Sequence, residues 1–126
     1  MTPLAEPADV TALTTETYTG AAEVQVRTLI RLVSGRIRAH LPDIDTWITD
    51  GLLDPTMVRD FVAEVTIRAR TALDAGLGVI SETHPEYSYR LSEAVSTSLN
   101  SITADEWSLL TPQSKRARRA FSIQPG

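Results

Sequence analysis

The sequence predicts a mainly α-helical protein, and three observations carry that expectation. Two long segments, from about Ala21 to Leu41 and again from Pro55 onward, repeat apolar residues at helical spacing. Prolines and capping residues bound both of them. Hydrophobic residues make up 42% of the chain but aromatics only 6%, so the core must be built mostly from Leu, Ile, Val and Ala. The expected architecture is a small four-to-five-helix domain with an extended hairpin-like arm and an extended C-terminal tail. The 126 residues form one helical body over 1–113, followed by a basic segment over 114–126.

The first element is a short helix from Glu6-Pro7-Ala8-Asp9-Val10. Pro7 suits its first turn, and Glu6 and Asp9 suit its positive end. Thr14, Thr15, Thr17 and Thr19 then break the periodicity, and Gly20 closes this linker. In the second helix Val26, Ile30, Val33, Ile37 and Leu41 form one apolar stripe, widened by Leu29 and Leu32. Arg27, Arg31 and Arg38 lie on a neighbouring face, with Glu23 placed to pair with Arg27. Pro42 stops the helix.

A connector from Asp43 to Gly51 follows, with one apolar anchor cluster among Ile44, Trp47 and Ile48. Asp54 caps and Pro55 opens the next helix, whose stripe is Val58, Val62, Val65, Ala69 and Ala72 with Met57 and Phe61 beside it. Glu64 is placed to pair with Arg68, and Gly76 and Gly78 are expected to end the helix. Val26, Ile30, Val33 and Ile37 should face Val58, Phe61, Val62 and Val65 to make the core.

Beyond Gly78 the period changes. Tyr87, Tyr89 and Leu91 alternate with Ser88, Arg90 and Ser92, which predicts a hairpin or extended excursion around His84-Pro85-Glu86. A lone hairpin is marginal in water, so this arm should lean on a neighbour. Glu93 to Ser101 is polar and ambiguous. Thr103 and Glu106 form a capping box that starts a short helix through Trp107, and Pro112 ends it.

Composition and motifs narrow the function classes. There is no cysteine, so disulfides and thiolate metal sites are impossible. His40 and His84 lack partners at metal-ligand spacing, and Asp43 with Asp45 offers too few oxygens for a hard cation. No nucleophile elbow, phosphate-cradling glycine loop or zinc-helix motif is present. Neither catalysis nor a bound cofactor or metal is expected. The N-terminal residues lack the basic and apolar regions of a secretory leader, and no apolar run approaches membrane-spanning length.

The last segment is the least ordinary. The net charge is -4, yet Lys115, Arg116, Arg118 and Arg119 concentrate four of the 12 cationic residues in one run. Phe121 and Ile123 follow in a short apolar strip. Such a segment reads either as a solvated terminus or as one ordered by a partner protein or nucleic acid. The acidic balance argues against a dedicated duplex-DNA binder.

Several segments in order resemble the head-to-tail connector proteins, or neck adaptors, of long-tailed bacteriophages, especially those of actinobacterial phages and prophages. They are Ala8-Asp9-Val10 with Leu13, His40-Leu41-Pro42-Asp43 and Asp54-Pro55-Thr56-Met57-Val58-Arg59, then Ser81-Glu82-Thr83, Glu86-Tyr87-Ser88-Tyr89 and Arg119-Ala120-Phe121-Ser122-Ile123. The chain departs from that pattern in its threonine-rich linker and in the absence of glycine from Glu93 to Ser101.

The resemblance implies a structural virion protein, assembled in the host cytoplasm and resident in the neck. It would form a homo-oligomeric ring of about a dozen copies beneath the portal protein. That ring would extend the DNA channel, pass genomic DNA without reading its sequence, and carry a stopper or tail-completion protein. Lys115, Arg116, Arg118, Arg119, Phe121 and Ile123 would then dock on the portal, the last two as alternate anchors of an added strand. Glu86, Tyr87, Tyr89 and Arg90 would form the inter-subunit arm. The alternative is a small DNA-binding or packaging accessory protein acting through the basic tail.

Overall fold

The computed structural model describes residues 2–77 and 87–112. Six helices occupy them: α1 (Pro7–Leu13), α2 (Ala21–His40), α3 (Ile44–Thr49), α4 (Pro55–Leu77), α5 (Tyr87–Asn100) and α6 (Ala104–Ser108). The protein is mainly helical, with no strand among the described residues.

Side-chain contacts give the directions of the helices. Arg38 donates to the carbonyl of Thr2, and Leu4 N–H donates to Ser34 Oγ at 3.0 Å, so the chain begins beside the C-terminal half of α2. It runs through α1 to Glu16, which meets Arg70 near the far end of α4. Gln25 accepts from Arg70, while His40 and Phe61 both contact the Trp107 ring, so α2 and α4 are antiparallel. Gln25 reaches Tyr87, and Arg36 reaches Ser92 and Ser96, so α2 and α5 are parallel. The long α4 is central, packing on α1, α2 and α5.

The core forms where the apolar stripes meet. Val26, Ile30, Val33, Ile37, Val58, Phe61, Val62 and Val65 are all buried, together with Leu29, Ala69, Leu91, Val95 and Leu110. Removing such aliphatic side chains from water is the main stabilising term in a body of this size. Three buried hydroxyls do not oppose it, because each finds a backbone partner. Ser34 accepts from Leu4 N–H, Thr66 donates to Val62 O at 2.8 Å, and Ser98 donates to Ala94 O at 2.9 Å.

Local chemistry explains most helix ends. Asp9 Oδ2 accepts from Glu6 N–H at 2.8 Å, and Asp54 Oδ1 accepts from Thr56 N–H at 2.9 Å. Thr103 and Glu106 exchange side-chain-to-backbone hydrogen bonds, the expected capping box. Gly20 at φ 58 and Gly51 at φ 75 turn the chain in the left-handed region, where a side chain would be strained.

The structure corrects four expectations. Ala72, expected in the α4 stripe, is exposed, and Leu73 is buried instead. Tyr87 to Ser92 is the start of α5, not a hairpin. The alternation that suggested a strand covers only six residues, whereas Leu91, Ala94, Val95 and Ser98 continue as a buried helical face. The ambiguous stretch from Glu93 is the rest of that helix. The connector after Pro42 folds into α3 around buried Ile44. Helix α4 runs through Gly76 to Leu77, so Gly76 does not end it. The proposed strand at Val79, the loop at His84 and the tail beyond Pro112 lie outside the described residues.

Candidate functional site

The bundle has two ends with different chemistry. At one end, helices α2 and α5 finish together and α6 folds across them. Trp107 of α6 stacks on His40 with ring centres 4.2 Å apart and planes inclined by 28°. Its other neighbour is Phe61 of α4, at 6.0 Å and 43°. The indole thereby bridges the last turn of α2 and the first half of α4.

The charge below it is shared. Arg68 donates to Glu64 at 2.7 Å and to Glu106 at 3.1 Å, tying α4 to α6. Burial opposes the charge on Arg68, but the hydrogen bonds to Glu106 and Glu64 outweigh it and raise the guanidinium pKa. The Glu106 carboxyl is held below the ordinary glutamate range, first by the Thr103 backbone N–H and then by Arg68. Beyond α6, Leu110, Thr111 and Pro112 are buried. The root of the basic segment is therefore anchored at this end of the bundle.

A second network lies on another face of α4, toward the starts of α2 and α5. Arg70 donates to Glu16 at 3.1 Å and to Gln25 at 3.3 Å, and its guanidinium lies 4.6 Å from the centre of the Tyr18 ring. Gln25 in turn donates to the Tyr87 hydroxyl at 3.4 Å. These contacts fasten the threonine-rich linker and the start of α5 to α4. The sequence did not single out Tyr18, Gln25 or Arg70, because no periodicity links residues so far apart.

The structure separates the residues expected to act as one arm. Tyr87 is half-buried and turned onto Gln25 of α2, whereas Tyr89 is 67% exposed. Arg90 is half-buried on α5, and Glu86 lies outside the described residues. Lys115, Arg116, Arg118, Arg119, Phe121 and Ile123 also lie outside them.

Among the clefts lined by described residues, two border the C-terminal half of α2. One, of about 560 Å³, lies between the N-terminal residues, α3 and the start of α4. Its acidic side chains are engaged structurally: Asp45 accepts from Arg38 at 2.8 and 3.1 Å, and Asp9 holds the Glu6 backbone N–H. The other, of about 290 Å³, is lined by Arg36, His40, Ser96, Leu99, Asn100 and Trp107. Arg36 there donates to Ser96 Oγ at 2.6 Å and Ser92 Oγ at 2.9 Å, clipping α2 to α5. Among the described residues no group of three or more His, Asp or Glu is arranged to hold a metal ion. No described helix is long and apolar enough to cross a membrane.

No protein family matches this chain, and no curated protein or solved structure is significantly similar to it.

Proposed function

We propose that the protein is a structural head-to-tail adaptor of a long-tailed bacteriophage neck, forming a ring under the portal that continues the DNA channel and seats the stopper or tail-completion protein. The observation that carries this reading is the polarity of the molecule. A helical body anchors the root of a basic, apolar-tipped segment at one end through buried Leu110, Thr111 and Pro112. At the other end it presents the exposed Tyr89 near the start of α5. A subunit that must join one ring above and another below needs different surfaces at its two ends. The ordered segments that resemble neck adaptors, from Ala8-Asp9-Val10 to Arg119-Ala120-Phe121-Ser122-Ile123, support the same reading.

In this role Lys115, Arg116, Arg118 and Arg119 dock on acidic portal surface, with Phe121 and Ile123 as apolar anchors. Repetition around the ring makes a modest affinity per tail sufficient. The net charge of -4 suits a channel through which DNA slides, because a basic lumen would retain it.

The test is native mass spectrometry of the protein mixed with its cognate portal, with and without residues 114–126. A portal carrying about a dozen copies, lost on removal of the segment, is expected. No association in either form overturns the adaptor reading. Binding of short duplex DNA at physiological salt, abolished by replacing the four tail cations with Ala, would favour the packaging-accessory alternative instead.

A further inference from the structure

The exposed face of α2 is unusual for the outer face of a long surface helix. Val24, Thr28, Arg31, Gly35 and Ala39 follow one another along it, and Val24 is 55% exposed. Gly35 lies inside the helix, where glycine is less favourable than alanine. A Cβ built there would meet nothing within 4 Å, so nothing in the subunit requires its absence. A missing side chain on an open ridge fits the close approach of another backbone.

The charges on this ridge are also incomplete. Arg27 pairs with Glu23 at 2.8 Å. Arg31 makes no ion pair or hydrogen bond among the described residues, and Arg36 bonds only to serine hydroxyls. The complementary surface lies on the far side of the molecule. Helix α4 buries Val58, Val62 and Val65 in the core it shares with α2, and its outward ridge carries Asp60, Glu64 and Thr71. Asp60 has no partner among the described residues, and Glu64 shares a single guanidinium with Glu106. Arg59, the neighbouring cation, turns to Thr56 Oγ1 at 3.2 Å.

We propose that the outer ridge of α2 in one copy seats on the outer ridge of α4 in the next. Arg27 and Arg31 then face Glu64 and Asp60, while Gly35 lets the helices approach closely where α4 begins. Arg27 with Arg31 and Asp60 with Glu64 are each one helical turn apart, so the two pairs match in an antiparallel helix contact. A symmetric contact of α2 on α2 would leave Arg31 without a carboxylate, because the one acid of that helix, Glu23, already pairs with Arg27. Since the two ridges lie on opposite faces, the contact is head-to-tail. It leaves each copy an unused face of either kind, which builds an open chain or a closed ring. The proposal rests on the multi-copy reading above and identifies the surface that such an assembly uses. One helix on one helix covers less than the roughly 1,200 Å² of stable interfaces, so pairwise affinity is low and salt-sensitive.

The experiment is sedimentation equilibrium of the full chain at up to about millimolar concentration, in low and high salt. The wild type is compared with Arg31→Glu, Asp60→Arg, the two combined, and Gly35→Leu. Association that weakens with salt is expected. Each single charge reversal should reduce it by about tenfold or more, and the combined reversal should restore it. Gly35→Leu should associate less while melting no lower than the wild type, because its side chain has open space in the monomer. A wild type that stays monomeric throughout overturns the proposal, as do single reversals without effect or a combined variant that is not rescued. Duplex DNA binding that depends on Arg31, without self-association, would assign the ridge to nucleic acid and also overturn it. Monomers that bind the portal sink this contact alone. Copies that associate through these ridges but ignore the portal sink the neck reading alone.

Discussion

Replacing Trp107 with Ala tests whether α6 is a packed part of the bundle or a loosely attached extension. The indole is half-buried between His40 at 4.2 Å and Phe61 at 6.0 Å. Truncating a fully buried Trp costs about 3–5 kcal/mol, so a half-buried one should cost about 2–3 kcal/mol. Roughly 1 kcal/mol of that belongs to the ring pair with His40. For a chain of this length, about 4 °C of melting temperature corresponds to each kcal/mol, so Tm should fall by about 10 °C. Urea melts followed by far-ultraviolet circular dichroism give the same quantity independently. Trp107→Phe keeps an aromatic face toward both neighbours and should cost less than about 1.5 kcal/mol. A double-mutant cycle with His40→Ala isolates the stacking contribution, with an expected coupling near 1 kcal/mol. A loss below about 0.5 kcal/mol, or no coupling to His40, would refute the argument that the aromatic stack fastens α6 to the bundle.

Three further outcomes follow from the same geometry. Leu29→Ala, at a position with 0% exposure, should cost about 2–5 kcal/mol in chemical denaturation, while Val24→Ala on the outer ridge of α2 should stay within about 0.5 kcal/mol. Ser34→Ala removes the acceptor of the Leu4 N–H and leaves that amide buried and unpaired, a loss of about 1–3 kcal/mol, with faster amide exchange at Leu4 as the local readout. Acid should loosen α6. The folded-state pKa of Glu106 is depressed, so its contribution is complete above the unfolded glutamate value of about 4.3 and is lost as pH falls through the folded value. Trp107 fluorescence in a Trp47→Phe background should report that acid transition, and Glu106→Gln should remove the part due to this carboxylate.

How far the sequence could be read depended on the range of the interaction. The stripe from Val26 to Ile37 and that from Val58 to Val65 could be read directly, because a helix buries residues at fixed spacing. The pairs Glu23–Arg27 and Glu64–Arg68 are likewise short-range and form at 2.8 and 2.7 Å. The Thr103–Glu106 capping box is read from two residues three apart. The start of α5 resembles a strand in sequence because Tyr87, Tyr89 and Leu91 satisfy a strand alternation over a few residues. Only the buried continuation through Ala94, Val95 and Ser98 decides for a helix.

The candidate functional surfaces were less legible. Tyr87 and Tyr89 are neighbours in sequence, yet one is turned onto Gln25 of α2 and the other is exposed. The Arg70 network joins the threonine-rich linker, α2 and α4 across separations of 45 and 54 residues. No pattern in the chain announces such partners. Gly35 reads as an ordinary small residue until the structure shows open space around it.

By itself, then, the sequence determined the helical class, the apolar stripes from Val26 to Ile37 and from Val58 to Ala69, and the capping chemistry at the starts of α1, α4 and α6. Each of these depends on periodicity or on groups a few positions apart. Tertiary structure alone decided that α5 is helical from Tyr87, that Trp107 closes one end of the bundle, and that α2 and α4 turn their outer ridges to opposite sides. Those features depend on which distant side chains share the interior once the chain has closed, and no local spacing encodes that.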